Sequence, residues 1–204
     1  MKKISQTEIQ NLMALHQKGL DDDLISKATS LVREYPEEII LFNLLGVSFE
    51  KKGYLKKAAD AYKKALEINP NIPEMNFNLG AILFSENKVE EAIQFYEKSI
   101  QLNNRFPEAH FNLGITFQSV GKFDEAIQCY QKAIQIQPGF FEAITNMGTI
   151  KQLQGHLDEA AEFFKKSLSI REDGRGHYNL ANVLRNQGNL STSINHYRKA
   201  IELG

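Results

Sequence analysis

The sequence predicts an all-α protein, a solenoid in which a pair of antiparallel helices is repeated about six times. One observation is a series of small residues that recur every 34 residues, with 33 for the last step. A second pattern, a small residue followed four positions later by an aromatic one, recurs with the same period. Such periods are typical of arrays in which each helical repeat packs only against its neighbours. The small residues of the first series are Gly46, Gly80, Gly114, Gly148 and Ala181.

The first series marks the first helix of each repeat. Apolar residues flank each glycine at helical spacing, as in Phe42-x-x-Leu45-Gly46-x-x-Phe49, and they place one apolar stripe on the helix. The second pattern marks the second helix, whose aromatic ring is expected to approach the glycine closely. Its copies are Ala58-x-x-x-Tyr62, Ala92-x-x-x-Tyr96, Ala126-x-x-x-Tyr130, Ala160-x-x-x-Phe164 and the weaker Ser193-x-x-x-Tyr197.

A turn residue separates the two helices of each repeat. Glycine and asparagine tolerate the left-handed backbone conformation that ends a helix. We therefore expect each first helix to end at one of these residues. The turn residues are Gly19, Gly53, Asn87, Gly121, Gly155 and Gly188.

The boundaries between repeats carry prolines or a flexible segment. Proline cannot continue a helix, but its missing N–H is no loss in a first turn. The last boundary, residues 171–176, is polar and glycine-containing, and we expect a local bend or fraying there. The prolines expected to end second helices are Pro36, Pro70 and Pro138, and those expected to begin first helices are Pro73 and Pro107.

These signatures resemble those of the tetratricopeptide repeat (TPR) family over almost the whole chain. The resemblance implies a right-handed superhelical solenoid, with residues 1–204 forming a single array. The first repeat is degenerate, because Leu12 replaces the usual small residue while Leu24 and Ala28 exchange the small and large positions. This suits an N-terminal cap. The six repeats are predicted over 5–38, 39–72, 73–106, 107–140, 141–173 and 174–204.

One asparagine recurs in the first helices of repeats three to six. A helical wheel places it outside the core and asparagine is a poor helix former, so fold stability gives no reason for it. The surrounding motif, as in Phe77-Asn78-Leu79-Gly80, is most similar to the repeats of O-linked N-acetylglucosamine transferase. In that family the matching asparagines form a ladder that holds peptide backbone. Inheritance from duplicated repeats is the alternative explanation. The four asparagines are Asn78, Asn112, Asn146 and Asn179.

Other side chains are expected on the same concave surface. Aromatic residues beside the asparagines either anchor a partner or pack against a neighbouring helix. Glu74, Glu108 and Glu142 also lie towards this surface, although an acid in a first helical turn is favoured by the helix dipole alone. Arg175 makes the C-terminal end basic. The predicted partner-binding residues are Asn78, Asn112, Asn146, Asn179, Phe77, Phe111, Tyr178, Asn182, Gln118 and Arg185.

Composition argues against several other classes. With 24 basic and 25 acidic residues the chain lacks the positive field of nucleic-acid-binding proteins, and no apolar run approaches membrane-spanning length. The single cysteine, Cys129, indicates a reducing compartment, and we expect a cytoplasmic protein. No catalytic, cofactor or metal site is predicted, because the histidines are expected in different repeats. These are His16, His110, His156, His177 and His196.

The sequence therefore predicts a non-enzymatic scaffold that binds a protein or peptide, as an extended segment, in its concave groove. The alternative is the non-catalytic recruiting arm of a longer enzyme, such as a glycosyltransferase or sulfotransferase. The last helix keeps apolar residues where no further repeat is predicted to cover them. Either a following helix of a longer protein covers them or two copies of the chain meet there, and we expect self-association through this helix. These residues are Leu190, Ile194, Tyr197, Ala200 and Ile201.

Overall fold

The computed structural model describes residues 3–204, which form twelve α-helices and no strand. The all-α prediction is confirmed. The chain divides into two compact units, the first ending at Asn104 and the second beginning at Arg105. The helices of the N-terminal unit are α1 Gln6–Gln17, α2 Asp21–Glu34, α3 Ile39–Lys51, α4 Leu55–Ile68, α5 Pro73–Ser85 and α6 Val89–Leu102. Those of the C-terminal unit are α7 Pro107–Ser119, α8 Phe123–Ile136, α9 Phe141–Leu153, α10 Leu157–Ile170, α11 Gly174–Asn186 and α12 Leu190–Leu203.

The N-terminal unit stacks three helix pairs in chain order, with α2 packed on α3 and α4 on α5. Ser5 opens α1 with a capping box, in which its hydroxyl accepts from the Glu8 N–H and the Glu8 carboxylate accepts from the Ser5 N–H. Leu12 and Ala28 are both fully buried in one apolar cluster. The exchange of large and small residues in the first repeat therefore conserves a filled core.

The C-terminal unit repeats the arrangement with α7 to α12. Its rings Tyr130 and Phe164 are fully buried. A Cβ atom added at Gly114 would stand 2.6 Å from Cε1 of Tyr130, and one added at Gly148 would stand 2.8 Å from Cε1 of Phe164. Both distances are shorter than a van der Waals contact. The recurring glycine therefore exists to admit the aromatic ring of the second helix.

The turns and helix starts follow the sequence prediction. All six predicted turn residues have positive φ, and at Asn87, the one non-glycine among them, φ is 61°. Pro73 and Pro107 are the first residues of α5 and α7. Pro36, Pro70 and Pro138 each stand two residues beyond the end of a second helix.

The segment 171–176 differs from the expectation of fraying. The Asp173 carboxylate caps α11 by accepting from the Gly176 N–H at 2.6 Å, and it pairs with the Arg171 guanidinium at 3.2 Å. Arg171 also lies over the Phe141 ring, 3.5 Å from its centroid. The Asp173 cap and the two contacts of Arg171 therefore fix the start of α11.

Candidate functional site

A cavity of about 520 Å³ opens between α7, α9 and the start of α11 in the C-terminal unit. We call its lining the groove face of this unit. Three predicted site residues, Phe111, Gln118 and Asn146, lie together there. The other lining residues are Ile115, Ser119, Phe141, Glu142, Thr145, Arg171, Asp173, Arg175 and Gly176.

A buried phenol links two amides of the groove face. The hydroxyl of Tyr130 donates to Oε1 of Gln118 at 2.7 Å and accepts from Nδ2 of Asn146 at 3.3 Å. Burial raises the pKa of Tyr130, which keeps its proton throughout the physiological pH range. Tyr130 thus acts as a donor to one repeat and an acceptor from the next.

The N-terminal unit contains the same arrangement with one change. The Tyr62 hydroxyl donates to Oε2 of Glu50 at 2.9 Å and is also hydrogen-bonded to Asn78. Burial, followed by the negative charge of Glu50, raises the pKa of Tyr62. The Tyr62 hydroxyl therefore donates to a carboxylate, whereas the Tyr130 hydroxyl of the C-terminal unit donates to an amide oxygen.

Asn78 and Asn146 do contribute to the fold, so the prediction that fold stability gives no reason for them was wrong. Asn78 and Asn146 each satisfy a buried tyrosine hydroxyl of the preceding repeat. The helical wheel missed these bonds because it treats one helix alone. The binding role of all four asparagines stays a prediction.

Asn179 differs from Asn146 because the preceding second helix carries Phe164, which has no hydroxyl. Asn179 is half-buried and makes no side-chain hydrogen bond to any other residue between positions 3 and 204. Asn112 is also half-buried, on α7. Asn179 is therefore the ladder position whose side chain the described fold does not use.

The three predicted aromatic residues pack on the tyrosine of their own repeat. Ring centroids are 5.9 Å apart for Phe77 and Tyr96 and 5.7 Å apart for Phe111 and Tyr130. Phe111 also contacts Phe140, at the start of the next first helix, with a centroid separation of 4.8 Å. Its packing on the neighbouring helix, one of the two predicted alternatives, is therefore observed.

The last repeat places its predicted residues around Tyr197. The Tyr178 ring lies 5.9 Å from the Tyr197 ring, and the Tyr197 hydroxyl donates to Oδ1 of Asn182 at 2.7 Å. Tyr178 keeps 54% of its surface exposed. Arg185 is exposed in the last turn of α11 but does not line the cavity.

Charged groups of both signs stand at the rim of the cavity. Arg175 is exposed and Glu142 is half-exposed, and neither forms an ion pair within residues 3–204. Arg171 is instead neutralised by Asp173. Sequence reasoning missed the Arg171–Phe141 stack, for which no local pattern gives a signal.

The prediction that the histidines lie in different repeats was wrong for one pair. His177 and His196 both fall in the last repeat, and their Nδ1 atoms are 2.8 Å apart because α11 and α12 run antiparallel. Nε2 of His177 contacts the Glu172 carboxylate at 3.0 Å. Burial, then the nearby His177 and Lys199, lowers the pKa of His196. No group of three or more metal-ligating side chains occurs in the part of the chain that is described.

Sequence models of the tetratricopeptide repeat family match most of the chain. They cover residues 46–84 and 80–121, described as a TPR repeat, and 107–140 and 141–204, described as a tetratricopeptide repeat. The chain belongs to the tetratricopeptide repeat family. The closer likeness to the transferase repeats stays a prediction. Among residues 3–204, no helix is both long and apolar enough to cross a membrane.

Solved structures with the same fold include those of MamA, PilW and PilF. The crystal structure of MamA is 27% identical, with a TM-score of 0.75, over 84% of this chain and 97% of that one. PilW, a type IV pilus biogenesis factor, is 20% identical with a TM-score of 0.82, over 96% and 91% of the two chains. PilF of Pseudomonas aeruginosa is 18% identical with a TM-score of 0.80, over 93% and 87%. A comparison with curated proteins gave no significant match.

Proposed function

We propose that this TPR protein is a non-catalytic scaffold that binds an extended polypeptide segment along its groove face. The observation that carries the proposal is the cavity of the C-terminal unit, in which amide side chains stand beside an apolar floor. Extended peptides leave their backbone N–H and C=O groups unpaired, and side-chain amides satisfy both. The apolar floor of Phe111, Ile115 and Phe141 accepts a side chain of the same segment.

The charged residues at the rim of the cavity indicate which charge the bound segment should carry. Glu142 and Arg175 carry opposite charges, and neither is paired within the described chain. A partner of one charge sign would be attracted by one residue and repelled by the other. A segment of mixed charge suits this face better than a strongly acidic or basic one, which agrees with the near-zero net charge of the whole protein.

Selection from a random peptide display library tests this function. Peptides enriched on the wild-type protein should bind at least about tenfold more weakly to a variant with alanine at all four asparagines, the equivalent of ~1.4 kcal/mol. Asn195→Ala, an exposed position on α12, provides the control and should leave binding unchanged. Equal affinity for the wild-type protein and the quadruple variant, or no enrichment at all, would contradict the proposal.

The face of α12 supports a second contact of the scaffold. Leu190, Ile194 and Ile201 are exposed there, and Ile201 keeps 82% of its surface in solvent. Contiguous apolar surface of this kind marks an interaction site. We assign it to a second copy of the chain, since two identical apolar faces cover each other in a two-fold dimer.

Two expectations from the sequence remain predictions within this proposal. A recruiting arm of a longer enzyme would use the same groove face, and the presence of an attached catalytic domain is what distinguishes it from a free scaffold. The cytoplasmic location rests on the single cysteine.

A further inference from the structure

The hydrogen bonds of the Tyr130 hydroxyl determine which amide atom of Gln118 and of Asn146 stays available to a partner. A neutral phenol has one proton to donate, and Tyr130 gives it to Oε1 of Gln118. Its lone pairs then accept the Nδ2 proton of Asn146. Amide orientation in proteins follows from such networks, so Tyr130 fixes both side chains.

The fixed amides present two unused groups at the cavity. No hydrogen bond within residues 3–204 uses Nε2 of Gln118 or Oδ1 of Asn146. Both residues are half-buried and line the same cavity. Nε2 is a donor and Oδ1 is an acceptor, and together they match the C=O and N–H groups of a peptide main chain.

The N-terminal unit shows what happens when the pattern changes. There the phenol of Tyr62 ends on Glu50, whose carboxylate has acceptors and no donor. Glu50 therefore cannot offer a donor to a backbone carbonyl, whereas Gln118 at the equivalent position can. The choice between amide and carboxylate at this one position sets which partner group that side chain can bind.

We propose that Gln118, Tyr130 and Asn146 form an oriented donor–acceptor pair that binds one C=O and one N–H of a partner's main chain. This inference rests on the proposed function, because it assumes that the segment lies in the same cavity. It adds that Tyr130 is a positioning residue, which acts through the two amides although its own ring is buried.

The test uses one peptide from the display selection, synthesised with and without single N-methyl groups along its backbone. Gln118→Glu removes the donor but keeps the acceptor for Tyr130, and Glu50 shows that a carboxylate fits this position. We expect its affinity to fall about tenfold, as for loss of one well-placed hydrogen bond to a charged or buried group. Ser119→Glu adds the same charge at a neighbouring lining residue. It removes only the Ser119 hydroxyl, which donates within its own helix to the Thr116 C=O at 2.7 Å, and should lose less than about twofold in affinity.

Tyr130→Phe provides the second variant. Phe164 occupies the equivalent position of the next repeat, so phenylalanine fits the fold. Without the hydroxyl the two amides are free to turn, and we expect affinity to fall by about three- to tenfold. One of the N-methylated peptides should also bind the wild-type protein more weakly than the unmodified peptide does. Combining that peptide with Asn146→Ala should cause little further loss, since both changes break the hydrogen bond from the peptide N–H to Oδ1 of Asn146.

The outcomes separate the two proposals. If Gln118→Glu and Tyr130→Phe bind like the wild type while the quadruple asparagine variant loses binding, the oriented pair is wrong and the scaffold proposal stands. If no selected peptide depends on any groove residue, both are wrong. Equal losses for Gln118→Glu and Ser119→Glu would show a charge effect only and would also overturn the oriented pair.

Discussion

Replacing Gly114 with leucine tests the helix pairing that builds the groove face. The new Cβ atom would lie 2.6 Å from the buried ring of Tyr130 and 3.2 Å from Cβ of Cys129. Overpacking of this kind costs ~1–3 kcal/mol. A ring that is pushed out gives up the ~1.5–3 kcal/mol gained by burying a side chain of this size. The better helix propensity of leucine returns about 0.8 kcal/mol. The expected net loss is about 2–5 kcal/mol.

Urea unfolding followed by circular dichroism measures this loss. Gly139→Leu is the control, because Gly139 is exposed, has no heavy atom within 4 Å of an added Cβ and does not have positive φ. It should unfold within about 0.5 kcal/mol of the wild type, as surface substitutions usually do. A Gly114→Leu protein that unfolds at the same urea concentration as the wild type would show that the first and second helices are not paired as described.

Three further predictions follow from the structure. Asn146→Ala should lower the free energy of unfolding by about 0.5–1.5 kcal/mol, because it removes a hydrogen bond to the buried Tyr130 hydroxyl, whereas Asn179→Ala should not lower it in urea unfolding. Equal losses for the two variants would contradict the different roles assigned to these asparagines. The pKa of His196 is lower in the folded protein than in the unfolded chain, so the unfolded chain binds the imidazole proton more readily and stability should fall as pH decreases below 6.5. His196→Gln should flatten the dependence of melting temperature on pH in this range. Parallel profiles for the variant and the wild type would contradict this assignment. Light scattering should show self-association of the concentrated protein, lost when Ile194 and Ile201 are both lysine; a monomer at every concentration would contradict this.

The helix pairs were predictable from sequence because their cause is local and repeated. A ring such as Tyr130 needs a glycine such as Gly114 opposite it, and both recur with one period. The left-handed turns were predictable for a similar reason, since few residues adopt positive φ. Repetition turns weak local preferences into a specific pattern.

The hydrogen bonds of the site were not predictable in the same way. Asn146 and Tyr130 are 16 residues apart in different repeats, and their contact depends on how one helix pair packs on the next. The available signal was tyrosine in place of phenylalanine, since a buried hydroxyl requires a partner. The contact between His177 and His196 was within reach of the sequence, because both lie in one antiparallel pair.

The side-chain amide signals of Asn146 and Gln118 test the central claim, that the groove face binds peptide main chain, most directly. In a nitrogen–proton correlation spectrum of the labelled protein, addition of the selected display peptide should shift both NH₂ signals in a saturable manner. The amide of Asn195, exposed on α12, should stay in place. If the peptide binds while the two groove signals do not move, or if only signals outside the groove face move, the proposed role of this face is wrong.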